Sequence, residues 1–178
     1  SGDPALAQPQ APQKAAGGAL TIDPAAMQKP WTGDLDAMID RRAIRVLTVN
    51  SKTSYFLDKG VQRGIVVDYF GLFENEVNKK LAAEKKLKDK NLKVRVTFIP
   101  VRRDQLLPGL AAGKGDIAAA NLTITPERQK LVDFSAVGLS NVREIVVSGP
   151  VSPKVASLDD LSGKAVFVRK SSTYYESL

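Results

Sequence analysis

The chain has 178 residues, 43% hydrophobic and 25% charged, which suits one globular domain or slightly more and excludes a chain disordered throughout. It contains neither cysteine nor histidine, so disulfides, thiolate nucleophiles, Cys-ligated zinc and His-based acid–base chemistry are excluded within it. Its net charge of +7 would suit acidic ligands, an anionic surface or nucleic acid, and charge alone does not choose between them.

Residues 1–30 are rich in Ala, Pro, Gln and Gly and poor in anchors for a core, so a flexible linker is expected there. Order is expected from Trp31, with Asp34 as N-cap of a short helix carrying Leu35, Met38 and Ile39 on one face. The apolar run 44–49 predicts a buried strand, and 50–63 a loop. Val66, Phe70, Phe73, Val77 and Leu81 recur at helical spacing and predict the longest helix, over 67–85. Further strands are predicted at 92–100, 116–120, 142–148 and 165–168. Helices are predicted at 103–112, from Thr125 and Pro126 to about 132, and from Thr173 onward, with a turn or short helix at 158–161. Strands alternate with helices, which predicts an α/β fold with a mainly parallel sheet flanked by helices. The lysines at 79, 80, 85, 86, 88, 90 and 93 lack interleaved aromatics and continue from a helix, so a solvated face is expected and nucleic acid is not a predicted partner.

In open α/β sheets, ligands bind beyond the carboxyl ends of the strands. The residues just past those ends are 50–56 after the first strand, Arg102 and Arg103 after the second, and 121–128 after the third. Three separate loops thus offer amides, hydroxyls, aromatics and guanidinium groups to one edge. Each has a plainer role as well: Thr125 as a helix cap, Tyr55 and Phe56 as packing, Asn121 as a partner for backbone at a strand end, and Arg102 and Arg103 as surface residues.

The run Gly115-Asp116-Ile117-Ala118-Ala119-Ala120-Asn121-Leu122-Thr123-Ile124-Thr125-Pro126-Glu127-Arg128, continuing to Val132-Asp133-Phe134-Ser135, resembles the bacterial extracellular solute-binding proteins of family 3. The resemblance implies a type II periplasmic-binding-protein fold, with a first lobe at 31–150 and the start of a truncated second lobe at 151–178. It also implies an amino-acid-like ligand gripped by its carboxylate between two lobes that close by a hinge motion. Carried over residue by residue, Arg128 matches the carboxylate-binding arginine, Thr123 and Thr125 the groups beside it, and Tyr55 or Phe56 the aromatic against the ligand. Asn50 and Asn121 at the strand ends, and Ser171, Ser172 and Thr173 on the second-lobe side, complete the expected ligand-binding set.

Asp34-Leu35-Asp36-Ala37-Met38, residues 41–46 and the run from Arg169 to Glu176 further resemble the solute-binding region of the membrane-bound lytic murein transglycosylase F family. That likeness implies a sensing or regulatory module whose wall-cleaving domain lies elsewhere, and no glutamate of this chain inherits the catalytic role. The expectation is therefore a non-enzymatic periplasmic binding domain without cofactor or metal, taking an amino acid or a muropeptide-like ligand. Its partner would be an ABC permease or a fused transglycosylase domain, with a membrane reached only through a tether ahead of the linker.

Overall fold

A computed structural model describes residues 29–87 and 91–178, so the expected linker falls almost wholly outside the described residues, as do Lys88 and Lys90. In chain order the elements are α1 (Leu35–Asp40), β1 (Ala43–Thr48), β2 (Phe56–Asp58), β3 (Val61–Arg63), α2 (Ile65–Ala83) and β4 (Arg95–Pro100). A 3-10 turn (Arg103–Gln105), α3 (Leu106–Ala111), β5 (Ile117–Ala119), α4 (Pro126–Gln129), a second 3-10 turn (Asp159–Leu161) and α5 (Thr173–Glu176) follow.

β1, β4 and β5 form a parallel sheet in the order β4-β1-β5, with Ala43 opposite Arg95 and Val46 opposite Ile117. The central strand β1 is buried at all six positions, as a strand covered on both faces must be. Alternation along it sends Ile44 and Val46 toward Phe70 and Leu81 of α2, and Leu47 toward Leu106 of α3 and Ala120. Each of the larger of these side chains contributes roughly 1.5–3 kcal/mol on full burial. Phe70 meets Phe73 and Phe98 edge-on, at 5.7 and 6.2 Å between ring centroids.

Polar groups of α2 also serve the outer strand. Asn78 accepts from the Val94 amide at 2.8 Å and donates to the Val94 carbonyl at 2.9 Å, while Glu74 accepts from the Val96 amide at 2.7 Å. The side of β4 that faces away from β1 is thereby hydrogen-bonded where it would otherwise be left open.

At the amino end of the sheet lies a buried ionic knot. Arg45, fully buried in mid-strand, donates to Asp116 Oδ1 at 2.9 Å, to the Lys29 and Gly113 carbonyls at 2.9 Å each, and to the Trp31 carbonyl at 3.2 Å. Asp116 Oδ2 accepts from the Arg45 amide at 2.7 Å and from Arg41, whose guanidinium lies 4.1 Å from the Trp31 ring centroid. Burial alone would raise the Asp116 carboxyl, but the hydrogen bonds from Arg45 and Arg41 together hold it below its ordinary value. Gly113, at φ +68°, lies so close that a Cβ would sit 2.7 Å from Trp31 backbone atoms.

Several local expectations are corrected. Residues 50–63 are not only a loop: β2 and β3 form a hairpin there, turned by Lys59 at φ +50° and Gly60 at φ +82°. Asp34 holds the N-cap position of α1 with extended backbone, but its side chain makes no capping bond. Residues 142–148 and 165–168 form no strands. Val142, Ile145, Val147 and Phe167 are 69–99% exposed, and a strand needs a hydrogen-bonded neighbour that no described segment supplies to either run. The lysines of α2 and its exit lie on an exposed face as expected, Lys79 beside Glu76 and Lys86 beside Glu84.

Candidate functional site

All three strands of the parallel sheet deliver their carboxyl ends to one edge, and the chain widens there into a cleft. Thr48 Oγ1 donates to the Ala119 carbonyl at 2.8 Å, tying the end of β1 to that of β5. The loop after β1 is drawn tight: the Ser51 amide donates to the Tyr55 carbonyl at 2.9 Å, and the Ser54 amide to Ser51 Oγ at 2.8 Å. Gly64, at φ +120°, lets this loop press against the start of α2, since a Cβ there would lie 2.3 Å from the Ser54 carbonyl oxygen.

The larger cavity, of about 1060 Å³, is walled by Asn50, Ser51 and Thr53 after β1, by Arg102, Arg103 and Asp104 after β4, and by Arg169, Lys170 and Ser171 opposite. A smaller one, of about 270 Å³, adjoins it through Arg103, Asp104 and Ser171 and is completed by Leu122, Glu127, Arg128 and Glu176 among others.

Arg128 is set by the turn that carries it. Thr125 Oγ1 accepts from the Arg128 amide at 3.4 Å and Pro126 opens the helix, which fixes the first turn of α4. The guanidinium donates to the Thr123 carbonyl at 3.2 Å, to the Ser171 carbonyl at 3.5 Å and to Glu176 Oε1 at 3.0 Å. Its side chain is 11% exposed, against 44% for Glu176. Thr123 and Thr173 meet hydroxyl to hydroxyl at 3.4 Å, so the segments around 123–128 and 171–176 are joined by a hydroxyl pair and by one arginine.

Of the residues expected at the site, Asn50, Arg128 and Ser171 line the cavities, Ser171 lining both. Thr123 and the buried Thr173 form the seam between the two segments, and Thr125 is the cap beneath Arg128. Tyr55 is buried behind the cleft, its ring 5.6 Å from Phe98 and its hydroxyl accepting from Gln62 at 3.2 Å, and Phe56 begins β2. Neither lines a cavity. Asn121, at φ +47°, gives its carbonyl to Arg103 at 3.3 Å. Ser172 donates its amide and hydroxyl to the Arg169 carbonyl, at 3.0 and 2.6 Å.

Arg102 and Arg103, expected at the strand edge and also as surface residues, are both: they line the cleft wall, Arg102 with its side chain 80% exposed and Arg103 half-buried. Glu176 carries no local signal, because its partner lies 48 residues upstream. Among the described residues no group of three or more His, Cys, Asp or Glu could hold a metal ion, and no helix is long and apolar enough to cross a membrane.

The family model for bacterial extracellular solute-binding proteins, family 3, matches residues 44–174. Membrane-bound lytic murein transglycosylase F of Aeromonas salmonicida is 32% identical over 136 residues, 76% of this chain and 24% of that protein. The lysine/arginine/ornithine-binding periplasmic protein of Escherichia coli is 36% identical over 85 residues, 47% of this chain and 32% of that protein. A solved ancestral amino acid-binding protein, a precursor of cyclohexadienyl dehydratase, is 38% identical over 57% of this chain and 40% of its own, with a TM-score of 0.39. The chain spans about a quarter to a third of the length of these curated relatives. Its parallel sheet flanked by helices is part of a type II periplasmic-binding-protein fold, and the domain is a solute-binding module. The chain belongs to the bacterial extracellular solute-binding proteins, family 3.

Proposed function

We propose that this chain is a periplasmic solute-binding domain that recognises a small amino-acid-like or peptidoglycan-derived ligand through its carboxylate. In this reading 31–150 is the first lobe, 151–178 belongs to the second, and the ligand lies in the cleft between them. The observation that carries it is that Arg128 already holds a carboxylate, that of Glu176, at 3.0 Å, with its own side chain 11% exposed. A planar guanidinium fixed by two carbonyls and shielded from water is pre-organised for charge-assisted bonds to a carboxylate. The ligand's carboxylate takes the place of Glu176. In this reading Ser171 and the Thr123–Thr173 seam flank that carboxylate and Asn50 meets the rest of the ligand from the adjoining larger cavity, while Thr125, Asn121 and Ser172 hold the backbone and Tyr55 and Phe56 support the wall.

The test is a backbone-amide NMR titration of the chain with millimolar amino acids and muropeptide fragments, repeated on Arg128→Ala. Each hydrogen bond to a charged group is worth roughly 1.5–3 kcal/mol, so the variant is expected to lose at least about tenfold in affinity. Unchanged affinity rejects the carboxylate site.

The likeness to lytic murein transglycosylase F over 76% of the chain favours a second reading, in which the domain is the regulatory part of a wall-cleaving enzyme whose catalytic domain is separate. The likeness to a periplasmic lysine/arginine/ornithine-binding protein favours delivery to an ABC permease instead. Muropeptide fragments that shift the cleft amides when free amino acids do not would select the regulatory role.

A further inference from the structure

The charges around the cleft specify more than a single carboxylate. Three carboxylates stand on the walls of the two cavities, and each is engaged: Asp104 by Arg102, Glu127 by Lys130 and Glu176 by Arg128. Three cations on the same walls, Arg103, Arg169 and Lys170, form no ion pair with any described residue. Arg103 is half-buried and held by the carbonyls of Ala120 and Asn121, at 3.0 and 3.3 Å, which bear no net charge to offset its own. Arg169 and Lys170 are exposed on the opposite wall.

Like charges gathered in a concave surface repel one another and focus a positive potential into it. Nothing in the packing requires them there: the apolar cores lie behind, between the sheet and its helices. With a ligand carboxylate on Arg128 the displaced Glu176 can offset one of the three cations, and the balance stays positive, so the arrangement attracts a further anion and disfavours a ligand with a cationic side chain.

We propose that the cleft selects a ligand with a second acidic group: an acidic amino acid or an acidic short peptide. One carboxylate goes to Arg128, and the second acid is met by Arg103 from one wall and by Arg169 and Lys170 from the other. This rests on the reading of Arg128 as the first carboxylate site. The second acidic group is recognised by charge, so a carboxylate and a phosphate both satisfy the chemistry.

Matched probes test this on the 178-residue chain: L-glutamate against L-glutamine, alanyl-glutamate against alanyl-glutamine, O-phosphoserine against serine, and L-lysine, each titrated at low salt. The acidic member of the carboxylate or of the phosphate pairs is expected to bind at least about tenfold tighter than its neutral isostere, with lysine weakest. Whichever pair shows the preference names the source of the second charge. In Arg169→Gln/Lys170→Gln, whose changes lie on exposed side chains, the preference is expected to shrink to about threefold or less, with the thermal midpoint unchanged. Equal binding of acidic and neutral partners, a preference for lysine, or a preference unmoved in the double variant would each overturn the second acidic site. The Arg128 reading survives those outcomes as long as Arg128→Ala still weakens the neutral probes. If no probe binds the wild-type chain, the carboxylate site itself falls, and this inference with it.

Discussion

The two ends of one parallel sheet treat charge in opposite ways. At the amino end, Arg45 and Asp116 are removed from water, and each is surrounded by partners: two arginines and an amide on the carboxylate, three carbonyls and a carboxylate on Arg45. At the carboxyl end, Arg103, Arg169 and Lys170 have no carboxylate to meet among the described residues. A buried charge is tolerated only when it is fully hydrogen-bonded, so the first arrangement belongs to folding. Of the second group only Arg103 is tied to the fold, through the Ala120 and Asn121 carbonyls, and none of the three has a counter-charge among the described residues, which is the condition that the proposed second acidic site needs. The contrast separates two kinds of arginine that look alike in the sequence.

The sharpest way to break the contrast is Asp116→Ala. Leaving Arg45 buried without its carboxylate is expected to cost roughly 3–5 kcal/mol in urea unfolding, or to prevent folding. Acid should do the same by degrees. Asp116 binds its proton less tightly in the folded chain than in the unfolded one, so its contribution is complete above the unfolded carboxyl value of about 3.9. That contribution is lost as pH falls through the lower folded value. Urea midpoints measured from about pH 5 down to pH 2 should therefore fall, and less steeply in Asp116→Asn.

Gly64→Ala damages the cleft end without touching a charge. With φ at +120° and the Ser54 carbonyl 2.3 Å from the new Cβ, it is expected to cost about 1–3 kcal/mol and to shift the amides of Ser51 and Ser54. The smallest effect is expected from Glu176→Gln. Its carboxylate is 44% exposed, and such pairs contribute about 0–1 kcal/mol, so stability should barely move. Affinity for a carboxylate ligand should rise a few-fold in the same NMR titration, because the ligand no longer competes with Glu176 for Arg128.

What the sequence made legible follows from how local each signal is. The period of Val66, Phe70, Phe73, Val77 and Leu81 marks α2, the apolar run marks β1, and Thr125-Pro126 marks the start of α4. The hairpin of β2 and β3 leaves no periodic signal because its side chains are mostly exposed and show no alternation, and only Lys59-Gly60 marks its turn. The runs at 142–148 and 165–168 show the reverse: strand-like composition without a partner strand forms no strand. Arg45 carries no signal of its own within an apolar run, since the carboxylate that explains it lies 71 residues away. Arg128, Thr123 and Ser171 could be nominated from a resemblance, but Glu176 as the occupant of Arg128 required the fold.

The knot around Arg45 also determines how the molecule answers a pull. Tension applied ahead of Lys29 reaches the fold at the carbonyls of Lys29 and Trp31, which Arg45 holds at 2.9 and 3.2 Å from the amino end of the sheet. The cleft opens at the other end. A chain held by its amino terminus would therefore load its base first, through the Arg45 bonds and the bond from the Trp31 amide to the Gly113 carbonyl, at the end of the sheet away from the ligand-facing walls.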